Sequence, residues 1–268
     1  MGGLGASAAL DGRLAAMVRR DRRVVVGSLV LVVVLAWAYL WYDAAAMQRM
    51  AAGGALSMPG TPSAAGPGAL AMVFAMWAIM MAGMMLPSAA PTIVLYASMV
   101  RRNAERGRIL PAAWIFAGGY LAVWTAFSLA ATLLQAGLDR ALLLTPMMTS
   151  ASASLSGALL VTAGVFQWTP LKHACLRQCR QPLQFLLTRW RDGARGAFRM
   201  GAEHGLYCLG CCWALMLLLF VAGVMNLLWV ALIAAFVLAE KLLPAGAWTA
   251  RVAGFVLVGA GVTLLIGS

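Results

Sequence analysis

Apolar residues in this chain fall in long unbroken runs, not in the i, i+3, i+4 stripe of a surface helix or the alternation of a half-buried strand. Six stretches lack charge entirely, at 24 to 42, 69 to 100, 109 to 138, 141 to 171, 205 to 239 and 252 to 268. About 20 helical residues cross a hydrocarbon core about 30 Å thick, so these runs read as transmembrane helices. The run at 205 to 239 would form a rod of roughly 52 Å, too long for one crossing, and Gly223, Met225 and Asn226 near its middle supply a turn. It reads as a tight helical hairpin. The pattern therefore predicts an all-α polytopic bundle of about seven spans, near 24 to 42, 69 to 92, 110 to 134, 151 to 170, 205 to 223, 227 to 243 and 250 to 267.

Composition agrees with the pattern. The chain is 63% hydrophobic and 10% charged, with a mean hydropathy of +0.88, far from the roughly 45–50% apolar and about 25% charged of soluble domains. A soluble core, a nucleic-acid-binding domain and a disordered chain are excluded. Of the 20 Lys and Arg, 18 fall on one side if the N-terminus is cytoplasmic, leaving only Arg49 and Arg140 outside. Short cytoplasmic loops retain basic residues during insertion, so this asymmetry sets the expected orientation. The net charge of +12 is then explained by topology and contact with an anionic inner leaflet, without a nucleic-acid partner. The expected organisation is a basic cytoplasmic segment over 1 to 23, a first helix over 24 to 42, an external loop over 43 to 68, and a main bundle over 69 to 268 with a basic cytoplasmic loop at 172 to 200. The first run resembles a signal peptide in its preceding Arg19 to Arg23 and its Ala44, Ala45, Ala46. Its length, beyond the usual h-region of about 7–15 residues, favours a retained helix. The Ala, Gly and Arg bias points to a bacterial plasma membrane.

Candidate chemistry is concentrated in one place. All five Cys and both His lie between residues 173 and 212. His173, Cys175 and Cys179 fall in the basic loop, the two Cys being an i, i+4 pair if helical. Glu203, His204, Cys208, Cys211 and Cys212 fall at the expected start of the fifth span. At about 100° per residue, His204, Cys208, Cys211 and Cys212 share one helix face, and the two groups meet if the flanking spans pack together. Thiolate and imidazole suit Cu(I), Zn(II) or an iron–sulfur cluster, whereas magnesium and calcium want carboxylates. Competing readings of the same cysteines are plain packing, palmitoylation and thiol redox chemistry through the C-x-x-C of Cys208 and Cys211. The last would sit on the reducing cytoplasmic side, where structural disulfides are rare.

Methionine is also abundant, at 17 residues. Met72, Met76, Met80 and Met84 recur along the second span, with Met81 and Met85 on the opposite side, and Met47, Met50, Met58, Met147 and Met148 fall on the outer side. Thioethers bind Cu(I) without losing a proton, so Met76, Met80, Met84 and Met85 are relay candidates; gap-filling between helices is the competing explanation. Pro87 and Pro91 are expected to kink this span near Ser88, Thr92 and Tyr96. Glu240 and Lys241 end the sixth span, as an interfacial anchor or with Glu240 as a carboxylate beside the Cys and His cluster. His173 is a further relay candidate.

Phosphate-binding glycine loops and the H-E-x-x-H zinc motif are absent from the sequence, and no Ser, His and acid set stands out within the spans, so an enzyme is the less favoured class. Metal transport, delivery or resistance is favoured, with Cu(I) ahead of zinc because of the methionines. The alternatives are a membrane thiol-disulfide oxidoreductase and a non-catalytic subunit whose basic 172 to 199 loop docks a soluble partner. The expected partners are the bilayer, the metal ion, and a soluble metal-handling protein or a second copy of the chain.

Several motifs together carry a resemblance: Met80 to Pro87, Pro170 to Cys175 with Cys179 and Pro182, Gly201 to Trp213, and Glu240 with Lys241. Over about residues 69 to 260 the chain resembles the bacterial integral membrane proteins grouped as predicted metal-binding, domain of unknown function 2182. The resemblance implies a polytopic membrane protein with a soft-ligand site. The matching residues are Cys175, Cys179, His204, Cys208, Cys211 and Cys212, with Met80, Met84 and Met85 beside them.

Overall fold

The computed structural model describes residues 3–52, 66–103, 109–144, 150, 152–243 and 246–267, and every named element among them is a helix. In chain order these are α1 (Gly3–Ala52), α2 (Pro67–Asn103), α3 (Ile109–Arg140), α4 (Ala153–Phe166), α5 (Pro170–Arg180), α6 (Pro182–Arg189), α7 (Gly193–Leu217), α8 (Leu219–Ala222), α9 (Leu227–Leu242) and α10 (Gly246–Gly267). Five segments are long and apolar enough to cross a membrane: Arg22–Arg49, Pro67–Val100, Pro111–Arg140, Gly193–Ala222 and Trp248–Gly267. Met58, Met147 and Met148 lie outside the described residues.

Two of the seven expected spans fall short of a full crossing, that at 151 to 170 because its helix is shorter than anticipated and that at 227 to 243 although its helix lies where expected. Helix α4 has 14 residues and α9 has 16, about 21 and 24 Å of rise against a core of about 30 Å. The cause is local. The apolar run that contains α4 breaks at Gln167, and Pro170 opens a new helix at its first position, with the Thr169 hydroxyl accepting from the Lys172 amide as N-cap. Helix α9 stops just ahead of Pro244, which disfavours helical backbone in the residue before it. The expected turn between the fifth and sixth runs is present: Gly223 adopts φ +96°, a conformation costly to any other residue, and Asn226 caps α9 through the Trp229 amide.

Helical structure also extends past the apolar runs. Helix α1 continues on both sides of 24 to 42, and the basic 172 to 200 segment is mostly helical, as α5, α6 and the start of α7. Helix α7 begins twelve residues ahead of the expected 205, because Arg195, Arg199 and Glu203 are compatible with helix although not with lipid. Helix α2 runs unbroken through Pro87 and Pro91.

Helices α3 and α7 are parallel and packed backbone to backbone. A Cβ on Gly119 would lie 2.0 Å from the Phe198 carbonyl oxygen, and one on Gly201 would lie 1.9 Å from that of Phe116. Lipid supplies no hydrophobic drive between helices, so small residues that admit such an approach hold the pair together. Helices α4 and α9 both run antiparallel to α7. The Ser150 amide bonds the Phe220 carbonyl and Phe166 meets Trp213, while the Trp229 indole bonds the Leu218 carbonyl and Lys241 meets Cys208. Both short helices thus start near the Phe220 end of α7 and stop level with Cys208 to Trp213. Helix α5 crosses α7 there, its Cys175 sulfur pressed against Gly210.

Candidate metal centre

The packing of α5 on α7 joins the two sequence groups of cysteines. On α7, Cys208, Cys211 and Cys212 are buried, with 0%, 2% and 0% exposure; on α5, Cys179 is buried and Cys175 half-buried. The Cys179 and Cys211 side chains interact, Cys211 and Cys208 each neighbour Cys212, and Cys175 neighbours Cys211. All five are free thiols. Helical phase explains the assembly. Residues 172, 176 and 179 share the buried face of α5, and 208, 211 and 212 that of α7.

Two of the thiols are satisfied by backbone. The Cys211 and Cys212 sulfurs both donate to the Cys208 carbonyl, at 3.0 and 2.9 Å. This back-bonding turns them along their own helix, and among the described residues no three His, Cys, Asp or Glu side chains converge on a common point. The chemistry of the donor set nevertheless suits a soft ion: four buried sulfurs adjoin in pairs, Cys179 with Cys211 and both Cys211 and Cys208 with Cys212, and a χ1 rotation would redirect either back-bonded one. His204 adds a second indication. It is 2% exposed, packed by Phe185, Tyr120 and Phe116 with ring centroids at 5.4, 5.8 and 6.3 Å, and its Nδ1 is buried with no hydrogen-bond partner. A buried imidazole nitrogen without a partner is uncommon in a settled core.

The other sequence candidates lie elsewhere. His173 is half-buried on α5. Partial burial and the cations Lys172, Arg251 and Arg177 hold its pKa below the usual histidine value. Burial and the neighbouring Cys211 push the Cys175 thiol up. Glu240 is engaged by a lysine: both its oxygens accept from Lys172 Nζ, at 2.7 and 2.9 Å, and the Gln167 side-chain oxygen accepts from the same ammonium. Met76, Met80, Met84 and Met85 are all buried, but so is Met81, while Met72 is 70% exposed. Burial therefore does not single out a ladder; α2 is enclosed by α1, α3, α6 and α9.

The sequence reading missed two lysines. Lys172 is fully buried and Lys241 is 7% exposed. Lys241 Nζ donates to Cys208 Sγ and to Ser88 Oγ, both at 2.9 Å. The Tyr120 hydroxyl lies 3.0 Å from the same sulfur and 3.0 Å from the Met85 carbonyl. Cys208 is thus the hub, its sulfur held by α3 and α9 and its carbonyl by its two thiol neighbours. The signal was available: 172, 176 and 179 on α5, and 230, 233, 237, 240 and 241 on α9, each continue an apolar stripe at helical spacing.

Fold and centre together define a class: an all-helical protein fitted to a membrane, with a thiol-rich interior. The chain belongs to the PpoB2 family, described as copper chaperone, whose family model matches residues 74–264. That segment nearly coincides with the stretch on which the membrane-protein resemblance rested. No curated protein and no solved structure matches the chain.

Proposed function

We propose that this chain is a multi-pass protein of the bacterial plasma membrane, with its N-terminus in the cytoplasm, that binds Cu(I) in preference to Zn(II). The ligands come from Cys175, Cys179, His204, Cys208, Cys211 and Cys212, and the ion is cargo for delivery, transport or resistance. The observation that supports this best is the meeting of five thiols from α5 and α7 inside a segment matched by a copper chaperone family. Thiolates and a neutral imidazole are soft donors that a low-coordinate Cu(I) accepts. The apolar walls exclude water, and the α3–α7 contact fixes Cys208 against Tyr120. In this reading α4 and α9 complete seven passes, and the basic α5 and α6 surface faces a soluble metal-handling partner or a second copy.

The test is the metal content per chain of protein purified without oxygen in detergent, for wild type and for the Cys208→Ser, Cys211→Ser, Cys212→Ser variant. Near-stoichiometric copper in the wild type and none in the variant is the expected result. Stoichiometric zinc with no copper would reassign the cargo. A wild type that stays metal-free after reconstitution with either ion would sink the metal reading. Thiol-disulfide chemistry at Cys208 and Cys211 would then lead, an alternative favoured by the ammonium 2.9 Å from Cys208 Sγ.

A further inference from the structure

The two buried ammonium groups differ in their partners. Lys172 is matched by the carboxylate of Glu240, so that pair adds no net charge to the interior. Lys241 has no carboxylate within salt-bridge reach among the described residues; its partners are a hydroxyl and the sulfur of Cys208. A buried cation is retained only where a counter-charge repays its desolvation, and this one is aimed at a candidate ligand from a different helix.

Two thiolates around a monovalent ion form a complex of net charge −1, as do three thiolates and an imidazole around a divalent ion. Either complex in a dry interior needs one fixed positive charge beside it. We propose that Lys241 is a further residue of the metal centre: the built-in counter-ion that neutralises an anionic metal–thiolate complex at Cys208, without itself ligating the metal. This rests on the proposed Cu(I) reading. Ser88 and Tyr120 complete the arrangement. Ser88 Oγ accepts from Nζ and donates to the Met85 carbonyl at 2.9 Å, so the ammonium is held on the sulfur by α2, which the Tyr120 hydroxyl ties to α3 through that same carbonyl. At separations of a few ångströms in a low-dielectric interior, one unit of charge is a large fraction of the binding free energy. Charge, more than shape, is therefore what Lys241 contributes.

The test is a Cu(I) affinity measurement by competition with a coloured Cu(I) chelator in detergent. It compares wild type with Lys241→Arg, Lys241→Gln and Lys241→Met, each with its metal-free unfolding temperature. The expected result is that Lys241→Met and Lys241→Gln lose at least tenfold in Cu(I) affinity while Lys241→Arg stays within about threefold of wild type, since every tenfold corresponds to about 1.4 kcal/mol. Loss of the buried charge leaves the metal-free unfolding temperature unchanged or higher, so the weakened binding cannot be ascribed to a damaged fold. Lys241→Gln keeps a donor of similar reach and carries the comparison if the Met variant fails to fold. Wild-type affinity in Lys241→Gln overturns the counter-ion role and leaves Cu(I) binding intact. A wild type that does not compete for Cu(I) at all overturns the binding reading along with it.

Discussion

Replacing Glu240 with Leu is expected to destabilise the protein by about 3–5 kcal/mol, the usual cost of leaving one member of a buried ion pair without its partner. Lys172 is fully buried, and the Glu240 carboxylate takes two of its hydrogen bonds, at 2.7 and 2.9 Å. Once the carboxylate is gone, the Gln167 oxygen and the Phe236 ring, 6.0 Å away, are left to hold the charge. Lys172→Met strands the carboxylate instead and carries a cost of the same order. Lys172→Met combined with Glu240→Leu should recover most of the loss, because an apolar pair of similar volume often matches a buried salt bridge in stability. Thermal unfolding in detergent across the four-member cycle reads this directly. A double variant no more stable than either single one would mean that the two charges do not act as a unit.

The second large effect is expected at the contact between α3 and α7. Gly201→Ala should cost more than the roughly 1–3 kcal/mol of ordinary overpacking. The new methyl would meet the backbone of Phe116 at 1.9 Å, and a backbone cannot step aside as a side-chain tip can. The two helices must separate, which also draws Tyr120 away from Cys208. Gly118→Ala is the control: it lies one residue from Gly119 with open space at its Cβ, and it should be neutral or stabilising by up to about 1 kcal/mol from helix propensity. Folded yield after detergent extraction and unfolding temperature report both changes. Similar behaviour of the two variants would refute so close an approach.

The difference between these two glycines illustrates what the sequence could convey. Hydrophobic run length located α1, α2, α3, α7 and α10, because the demand that lipid places on a backbone is strong and local. The same measure overextended α4 and counted α9, placed to within a residue, as a full crossing. Length of an apolar run says that a segment can be buried but not where a proline restarts the helix, as Pro170 does. At the centre, clustering in sequence anticipated that Cys175 and Cys179 would meet Cys208, Cys211 and Cys212, since α5 follows the apolar run of α4 closely and must turn back against α7. The two lysines were hidden by their class. Among seven cations between 172 and 199, Lys172 looks like any other marker of orientation, and only its phase relative to Leu176 and Cys179 betrays it. Glu240 was read either as an interfacial anchor or as a carboxylate beside the thiols. Depth does not fix a partner, and on α9 the Glu240 carboxylate is held by Lys172 while Lys241 reaches Cys208.

Exposure falls steadily across the five sulfurs: Cys175 is half-buried, Cys179 is 9% exposed, and Cys208, Cys211 and Cys212 are closed off. Anything that approaches from the α5 side therefore reaches Cys175 before the four buried thiols, and in the proposed reading Cys175 is the threshold of the centre. An ion taken up in that reading would exchange one sulfur for the next at this threshold, so it need never be free in the interior.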